Sequence, residues 1–187
     1  RKGAHDPSLI RPMENADLDR LVNARGSMPV MLTTVAPETV TPQQVAALAG
    51  AGIVVSLGHS DAGYATARAA IEAGATQVTH LFNAMSQLQH REPAMVGAAL
   101  SSGEISAGLI ADGFHVDRHV IGIALRSKLG PGRIFLVTDA MATIGTDMTE
   151  FTLNGRTIRR EGGRLTLADG TLAGADLDMI SAVRFMD

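Results

Sequence analysis

The feature that most constrains the fold is a unit that repeats five times between Met28 and Ala140. Each unit consists of a short apolar strand, a polar or glycine-bearing turn and a helix. The strands are nearly continuous apolar runs, which is typical of parallel strands that are covered on both faces. We predict them at Met28–Thr34, Gly52–Leu57, Ala75–His80, Ile105–Ile110 and Arg133–Thr138. Five such units in succession predict either a (β/α)8 barrel or a doubly wound sheet.

Helix-capping residues set the predicted helix boundaries. Thr41 and Pro42 are typical of an N-cap and a first helical position. Ser60 or Asp61 is expected to cap a helix that runs through Ala73, and Asp117 a helix that stops near Gly130–Pro131.

The pattern changes after Asp139. Phe151–Leu153 and Thr157–Arg160 flank Asn154-Gly155, a pair that favours a type I′ hairpin turn. Further turns at Gly162-Gly163 and Asp169-Gly170 enclose a short strand over Arg164–Leu167, and an apolar helix follows from about Asp176 to Met186. The last quarter therefore predicts a small antiparallel β element and a helix.

Composition excludes several classes of protein. The 187 residues are 45% hydrophobic, carry a net charge of −3 without a basic cluster and include no cysteine. These values favour a well-buried α/β protein and disfavour a nucleic-acid-binding one, and any metal would need His, Asp or Glu ligands. No apolar run reaches the ~20 residues of a membrane span, so we expect a cytoplasmic protein without a membrane partner. Because the chain opens at Arg1 without Met, we interpret it as an internal piece of a longer protein.

Polar residues stand at the carboxyl ends of four consecutive predicted strands. These are His59, His80, the segment from Asp112 to His115, and Asp139. In a closed barrel such positions meet at one mouth, whereas on an open sheet they lie along an edge. The pattern therefore favours the barrel.

Two imidazoles and a carboxylate suit Zn²⁺ or a similar divalent ion. Such an ion lowers the pKa of bound water to roughly 7, and Asp139 would be placed to take the proton. Each residue also has a plainer interpretation: a single histidine at a strand end is more often structural, and Asp139 alone could cap a turn. Ser60 adjoins His59 in sequence, an arrangement that disfavours a serine hydrolase.

Other residues are expected to be structural. His90 and His119 are predicted on the surface. The plainer interpretation of Arg91 with Glu92 is a solvated ion pair that contributes little. The methionines of the motif segments are expected to fill the core, namely Met85, Met95 and Met141.

Six ordered motifs resemble those of the N-acetylglucosamine-6-phosphate deacetylases, which belong to the amidohydrolase superfamily. The motifs are Gly58–Ala62, Thr79–Met85, Arg91–Pro93, Ile110–Val116, Val137–Met141 and Gly170–Gly174. The resemblance implies an α/β fold, a (β/α)8 TIM-type barrel that is partial here, with part of a small β-sandwich. It implies barrel residues 1–146, sandwich residues 147–175 and a helix over 176–187 that returns to the barrel.

The resemblance also implies an activity and a set of site residues. The reaction would be hydrolysis of N-acetylglucosamine 6-phosphate, a phosphorylated amino sugar, to glucosamine 6-phosphate and acetate. His59 and His80 would bind the divalent ion (Zn²⁺ first, Fe²⁺ or another ion as alternatives), Asp139 would be the catalytic base and then acid, and His5 would polarise the acetyl carbonyl. The remaining substrate-binding residues would be Ala4, Asn83, Ala84, Arg91, Asp112, Gly113, Phe114, His115, Leu172, Ala173 and Gly174.

The family pattern carries two further expectations. Members are typically homodimers in the cytoplasm, and their third metal ligand is a glutamate in a His-Leu-Glu-Gly-Pro segment, which would lie before Arg1. Three alternatives stay open: an N-acetylgalactosamine-6-phosphate deacetylase, a cyclic-amidase relative, and a non-catalytic sugar-phosphate-binding protein. Asp139 disfavours the last, because binding alone has little use for a base there.

Overall fold

The computed structural model describes residues 1–187 and contains two β-sheets. The larger sheet has five parallel strands that lie side by side in the order in which they occur in the chain. They are β1 (Leu32–Val35), β2 (Val54–Leu57), β3 (Gln77–Val78), β4 (Ser106–Ile110) and β5 (Ile134–Val137). A doubly wound sheet reverses its strand order at a switch point, and this sheet does not. The order is that of a segment of barrel wall.

Six α-helices accompany the strands. They are α1 (Asn15–Arg25), α2 (Pro42–Gly50), α3 (Tyr64–Glu72), α4 (Ala94–Ser101), α5 (Arg118–Ser127) and α6 (Met179–Met186). Thr41 caps α2 as the sequence predicts: its Oγ1 accepts from the Gln44 amide at 3.2 Å, and the Gln44 side chain accepts from the Thr41 amide at 2.9 Å. Asp117 likewise caps α5. None of the helices is long and apolar enough to cross a membrane.

The main core lies between the parallel sheet and the helices that connect its strands. One cluster of 22 buried residues joins β2, β3 and β4 to α2, α3 and α4, and a second of 8 joins β4 to α5 and α6. Helix α6 also packs against β5 and so returns to the large sheet. The sheet is thus fixed on its helical side, while its strand ends are left for loops.

The second sheet is antiparallel and has four strands in chain order. They are β6 (Glu150–Leu153), β7 (Arg156–Glu161), β8 (Arg164–Thr166) and β9 (Leu172–Ala175). Asn154 and Gly155 turn from β6 into β7 with φ of 50° and 73°, so the predicted hairpin is confirmed. The division into 1–146, 147–175 and 176–187 stays a prediction.

Several predicted boundaries are wrong. The strand predicted at Met28–Thr34 starts too early, because β1 begins at Leu32. The strand predicted at Ala75–His80 is too long, because β3 contains only Gln77 and Val78. Helix α3 begins at Tyr64 because Ser60 is held in a β-bridge to Met85 and cannot cap a helix. Helix α6 begins at Met179, with Asp178 as its cap.

The expected Arg91–Glu92 ion pair is also wrong. One carboxylate oxygen of Glu92 accepts from the Tyr64 amide at 2.8 Å and from the Ala94 amide at 2.9 Å, at the starts of α3 and α4. A carboxylate at a helix start accepts hydrogen bonds from free amides and is stabilised by the helix dipole. An exposed ion pair with Arg91 would contribute only about 0–1 kcal/mol. Met85 and Met95 are buried as expected, whereas Met141 is only half-buried, so its prediction as a core residue is wrong. His90 and His119 are exposed.

Leu109 offers a test of the core. Its side chain is fully buried in β4, so Leu109→Ala should lower the free energy of unfolding by about 2–5 kcal/mol through lost burial and a residual cavity. Ile123→Ala on α5, where 54% of the residue is exposed, is the control and should cost far less. Urea denaturation measures both, and equal losses would contradict this description of the core.

Candidate active site

A cavity of about 330 Å³ opens where the carboxyl ends of the parallel strands face the small sheet. It collects most of the residues that the sequence predicts for a site. Lining it are Ala4, His5, His59, His80, Asn83, Ala84, His115, Asp139, Leu172, Ala173 and Gly174. The predicted convergence of polar strand-end residues is therefore present in the structure.

Strand register explains why His59 and His80 meet. Leu57 of β2 is paired with Val78 of β3. His59 lies two residues after Leu57 and His80 two residues after Val78, so the two histidines occupy equivalent positions on adjacent strands. The Nε2 atoms of the two rings are 3.0 Å apart, and the ring centroids are 4.8 Å apart. Two ligands of one ion, each about 2.0–2.1 Å from the metal, have their nitrogens at a comparable separation. The pair is suited to share a metal ion.

The state of His59 suits metal binding. Its Nδ1 lies 3.2 Å from the carbonyl oxygen of Arg1. A carbonyl can only accept, so Nδ1 carries the proton and Nε2 keeps its lone pair for a ligand. Burial, followed by the nearby His80 and His5 rings, lowers the pKa of His59 to about 4. The ring is therefore neutral at pH 7.

The chain supplies only part of a metal centre. No group of three or more His, Cys, Asp or Glu side chains is arranged around a common point. Nδ1 of His80 is buried and has no hydrogen-bond partner, so this ring is not satisfied by the chain alone. The donor set fits a divalent ion to the extent of two imidazole ligands, and any further ligand must come from elsewhere.

Left-handed backbone is concentrated at the cavity. Of seven non-glycine residues with positive φ, four line it: His59 at 50°, His80 at 31°, Ala84 at 47° and Asp139 at 51°. Such a conformation costs roughly 1–2 kcal/mol for an ordinary residue and persists where the surroundings impose it. The strand-to-loop bends that aim these side chains are thus an independent indication of a functional site.

Asp112 orients His115 instead of lining the cavity. Its Oδ2 lies 2.6 Å from His115 Nδ1, and its Oδ1 accepts from the Phe114 and His115 amides, both at 2.8 Å. Burial alone would raise the pKa of Asp112, but these hydrogen bonds outweigh it and hold the pKa below its ordinary value. The ionised carboxylate fixes the ring so that Nε2 is free for the cavity.

Three other predicted site residues lie outside the cavity. Gly113 and Phe114 line a neighbouring groove, where the Arg164 guanidinium stands 4.6 Å from the Phe114 ring centre. Arg91 is exposed on the loop before α4. Their roles towards a ligand, like those of the whole predicted set, stay predictions.

The small sheet closes the cavity through β9. The Ala175 amide donates to the Asp139 carbonyl at 2.8 Å, and Ala140 forms a β-bridge with Ala175. Gly174 has φ of 77°, and a Cβ there would lie 2.3 Å from Met141 Cγ and 3.1 Å from the Asp139 carbonyl oxygen. Only glycine permits this approach.

Sequence reasoning missed several residues of the wall. Gly3, Met141, Leu153 and Thr171 also line the cavity. On the opposite side, the Arg156 side chain of β7 donates to the Ala4 carbonyl and so ties the segment that carries His5 to the small sheet. Thr171 and Met141 lie within the motifs Gly170–Gly174 and Val137–Met141, and Gly3 adjoins Ala4, so the motifs were an available signal. The Arg156 contact spans 152 positions and leaves no local signal.

Comparisons with known proteins give the chain its relatives. No protein-family model matches it. It is 45% identical to N-acetylgalactosamine-6-phosphate deacetylase of Shewanella sp. (99% of the chain, 46% of the relative) and 34% identical to N-acetylglucosamine-6-phosphate deacetylase of Bacillus subtilis (100% and 47%). The crystal structure of N-acetylglucosamine-6-phosphate deacetylase from Pasteurella multocida superposes with a TM-score of 0.91 at 37% identity, over 98% of the chain and 48% of that structure.

The chain belongs to the N-acetylglucosamine-6-phosphate deacetylase family. It spans about half the length of the curated relatives it matches. A second related structure is a D-to-A mutant of the Mycobacterium smegmatis enzyme in complex with N-acetyl-D-glucosamine-6-phosphate, with a TM-score of 0.90 at 35% identity over 98% of the chain and 48% of that structure. The parallel sheet is accordingly part of an amidohydrolase barrel.

Gly174 tests the closure of the cavity, with Gly170 as a matched control. Both have positive φ, 77° and 82°, but a Cβ at Gly170 would meet nothing within 4 Å. Gly170→Ala should cost about 1–2 kcal/mol for its backbone conformation alone. Gly174→Ala should cost about 1–3 kcal/mol more, because β9 must move away from Asp139. Urea denaturation compares them; indistinguishable losses would show that β9 does not pack tightly on Asp139.

Proposed function

We propose that the protein containing this chain hydrolyses the acetamide of N-acetylglucosamine 6-phosphate, releasing acetate and glucosamine 6-phosphate. The observation that carries the proposal is the His59–His80 pair, whose Nε2 atoms are 3.0 Å apart in the cavity that Asp139 also lines. Family membership supports the same reaction. The reaction needs a polarised amide carbonyl, an activated water and a proton for the leaving amine.

We propose that a divalent ion binds to His59 and His80, with Zn²⁺ the first candidate and Fe²⁺ or another ion as alternatives. When bound, such an ion supplies Lewis-acid activation of the carbonyl and lowers the pKa of water to roughly 7. Two neutral imidazoles with facing Nε2 atoms support this assignment. A family glutamate outside this chain is the proposed further ligand.

Asp139 is the proposed base and acid. It accepts a proton from the attacking water as the new carbon–oxygen bond forms, and it donates that proton to the amine nitrogen as the carbon–nitrogen bond breaks. Its position at the end of β5, on the cavity wall with both imidazoles, supports this role. The hydrogen bond from Ala175 to its backbone carbonyl keeps the residue in place.

The remaining cavity residues bind and orient the sugar in this proposal. His5, whose ring centroid is 4.9 Å from that of His59, is next to the proposed ion and is suited to polarise the acetyl carbonyl. His115 presents Nε2 because Asp112 holds Nδ1. Ala4, Asn83, Ala84 and the segment Leu172–Gly174 provide backbone and amide groups for the sugar.

A second candidate substrate is the galactosamine epimer. Relatives named N-acetylgalactosamine-6-phosphate deacetylase, from Shewanella sp. and from Escherichia coli O157:H7, are 45% and 40% identical to the chain. The same hydrolytic groups serve both sugars, which differ at one carbon away from the acetamide.

We further propose a homodimer in the cytoplasm, as the family pattern implies.

The direct experiment is acetate release by the full-length protein, measured with both N-acetylhexosamine 6-phosphates and with zinc content recorded. The proposal expects a higher kcat/KM for acetate release from N-acetylglucosamine 6-phosphate than from N-acetylgalactosamine 6-phosphate. The reverse preference would establish the second candidate. Calorimetric binding of the phosphosugar without any acetate, in zinc-loaded protein, would instead support a non-catalytic binding protein.

Asp139→Asn separates the catalytic role from metal binding. The full-length variant should lose about 10²–10⁴-fold in kcat, because an amide cannot take up the proton, while its zinc content stays that of the wild type. His80→Gln is the comparison and should lose zinc itself, as measured by elemental analysis. Turnover retained by Asp139→Asn would refute the base assignment.

Arg91→Ala tests the predicted phosphate contact. Arginine forms bidentate hydrogen bonds with phosphate, so its loss should raise KM for the phosphorylated sugar about tenfold or more and leave KM for the unphosphorylated sugar nearly unchanged. Arg126→Ala, on α5 away from the cavity, is the control. Equal changes for both sugars would mean that Arg91 does not recognise the phosphate.

A further inference from the structure

The loop that carries His59 is fixed on one side by the loop after β3. The Ser60 amide donates to the Ala84 carbonyl at 3.0 Å, and the Ser86 amide donates to the Ser60 carbonyl at 2.9 Å. These two hydrogen bonds form a β-bridge between Ser60 and Met85. The backbone next to His59 is therefore coupled to the segment that contains Asn83 and Ala84.

Glu38 fixes the same loop on the other side. It lies in a short 3-10 turn, Pro37–Thr39, directly after β1. Its Oε2 accepts from the Ser60 hydroxyl at 2.5 Å, and its Oε1 accepts from the Asp61 amide at 2.8 Å. Both carboxylate oxygens are thus used by the two residues that follow His59.

The Ser60 hydroxyl is fully committed to this arrangement. Ser60 is completely buried, and its Oγ accepts from the Ala62 amide at 3.0 Å while its proton goes to Glu38. A hydrogen bond to an ionised carboxylate is stronger than one between neutral groups. Removing the carboxylate would leave a buried hydroxyl proton and the Asp61 amide without their partner.

His59 needs such support because its backbone is left-handed, with φ of 50°. An ordinary residue keeps this conformation only where its surroundings determine it. The Nδ1 contact with Arg1 orients the ring, but it does not hold the backbone bend. The Arg1 backbone nitrogen donates to the His59 carbonyl, and Glu38 and the Ser60–Met85 bridge hold the residues that follow the bend.

We propose that Glu38 is a positioning residue: through Ser60 and Asp61 it holds His59 so that its Nε2 meets that of His80 in the geometry for a shared divalent ion. Glu38 itself binds neither ion nor sugar, because both its oxygens are occupied and it does not line the cavity. The inference rests on the proposed function only in taking the bound group to be a divalent metal.

The test compares three variants of the full-length protein. Glu38→Ala removes both hydrogen bonds, and Ser60→Ala removes the hydroxyl with little change in volume. Asp178→Ala is the matched control, since it removes a carboxylate that accepts from the Ser181 amide at the start of α6. Zinc affinity is measured by competition with a chromophoric chelator, and the His59 tautomer is read from imidazole ¹⁵N shifts of the metal-free protein.

Glu38→Ala should raise the zinc Kd about 10–100-fold, as loss of a group that orients a metal ligand typically does. Ser60→Ala should raise it at least threefold, and Asp178→Ala should leave it unchanged. In metal-free Glu38→Ala, His59 should show mixed tautomers instead of the Nδ1-protonated form alone.

Wild-type zinc Kd and wild-type imidazole shifts in folded Glu38→Ala would overturn the inference. If that variant does not fold, an unchanged zinc Kd in Ser60→Ala overturns it instead. A wild-type protein that binds zinc yet releases no acetate would remove the proposed hydrolysis without affecting this comparison. If the wild type binds no zinc, the imidazole shifts decide the positioning role.

Discussion

The arrangement of this site depends on one close approach, that of His59 Nε2 to His80 Nε2 at 3.0 Å. Neighbouring strands in a sheet are about 4.8 Å apart, so two side chains can converge only from equivalent positions on adjacent strands. Pairing of Leu57 with Val78 supplies that equivalence. A shift of the register by one residue would turn one ring towards the opposite face of the sheet.

The strain that aims these side chains is held by the rest of the structure. Left-handed residues at His59, His80 and Asp139 each lie two residues after the end of a strand and turn the chain towards the cavity. Two of them are fixed by contacts from a neighbouring loop or strand: Glu38 acts on the His59 loop, and Ala175 of the small sheet acts on Asp139. The small sheet is therefore part of the site, because its last strand, β9, lines the same cavity as Asp139.

Much of this could be predicted from the sequence, because the determining signals are local. Continuous apolar runs followed by His59, His80 and Asp139 place the strands and the candidate ligands, and Asn154-Gly155 places the hairpin. The misplaced start of α3 shows the limit. Ser60 has a good capping side chain, but a tertiary contact with Glu38 and a bridge to Met85 use it otherwise. Contacts between distant segments, such as Arg156 with Ala4, have no local pattern.

The same reasoning explains which predicted residues stand apart. Asp112 belongs to the motif but supports His115 from behind, since a short polar side chain after a strand hydrogen-bonds readily to the amides that follow it. Two imidazoles also fall short of a complete centre, consistent with a chain that spans about half of its relatives. The site is a convergence of two ligands and one carboxylate, and that convergence is the claim on which the proposed chemistry depends.

The most direct measurement is a crystal structure of the zinc-loaded full-length protein, with the ion located by anomalous scattering. The account predicts one zinc ion about 2.0–2.1 Å from Nε2 of both His59 and His80, with Asp139 facing the same space. Zinc bound elsewhere, or the two rings turned apart in the loaded protein, would contradict it.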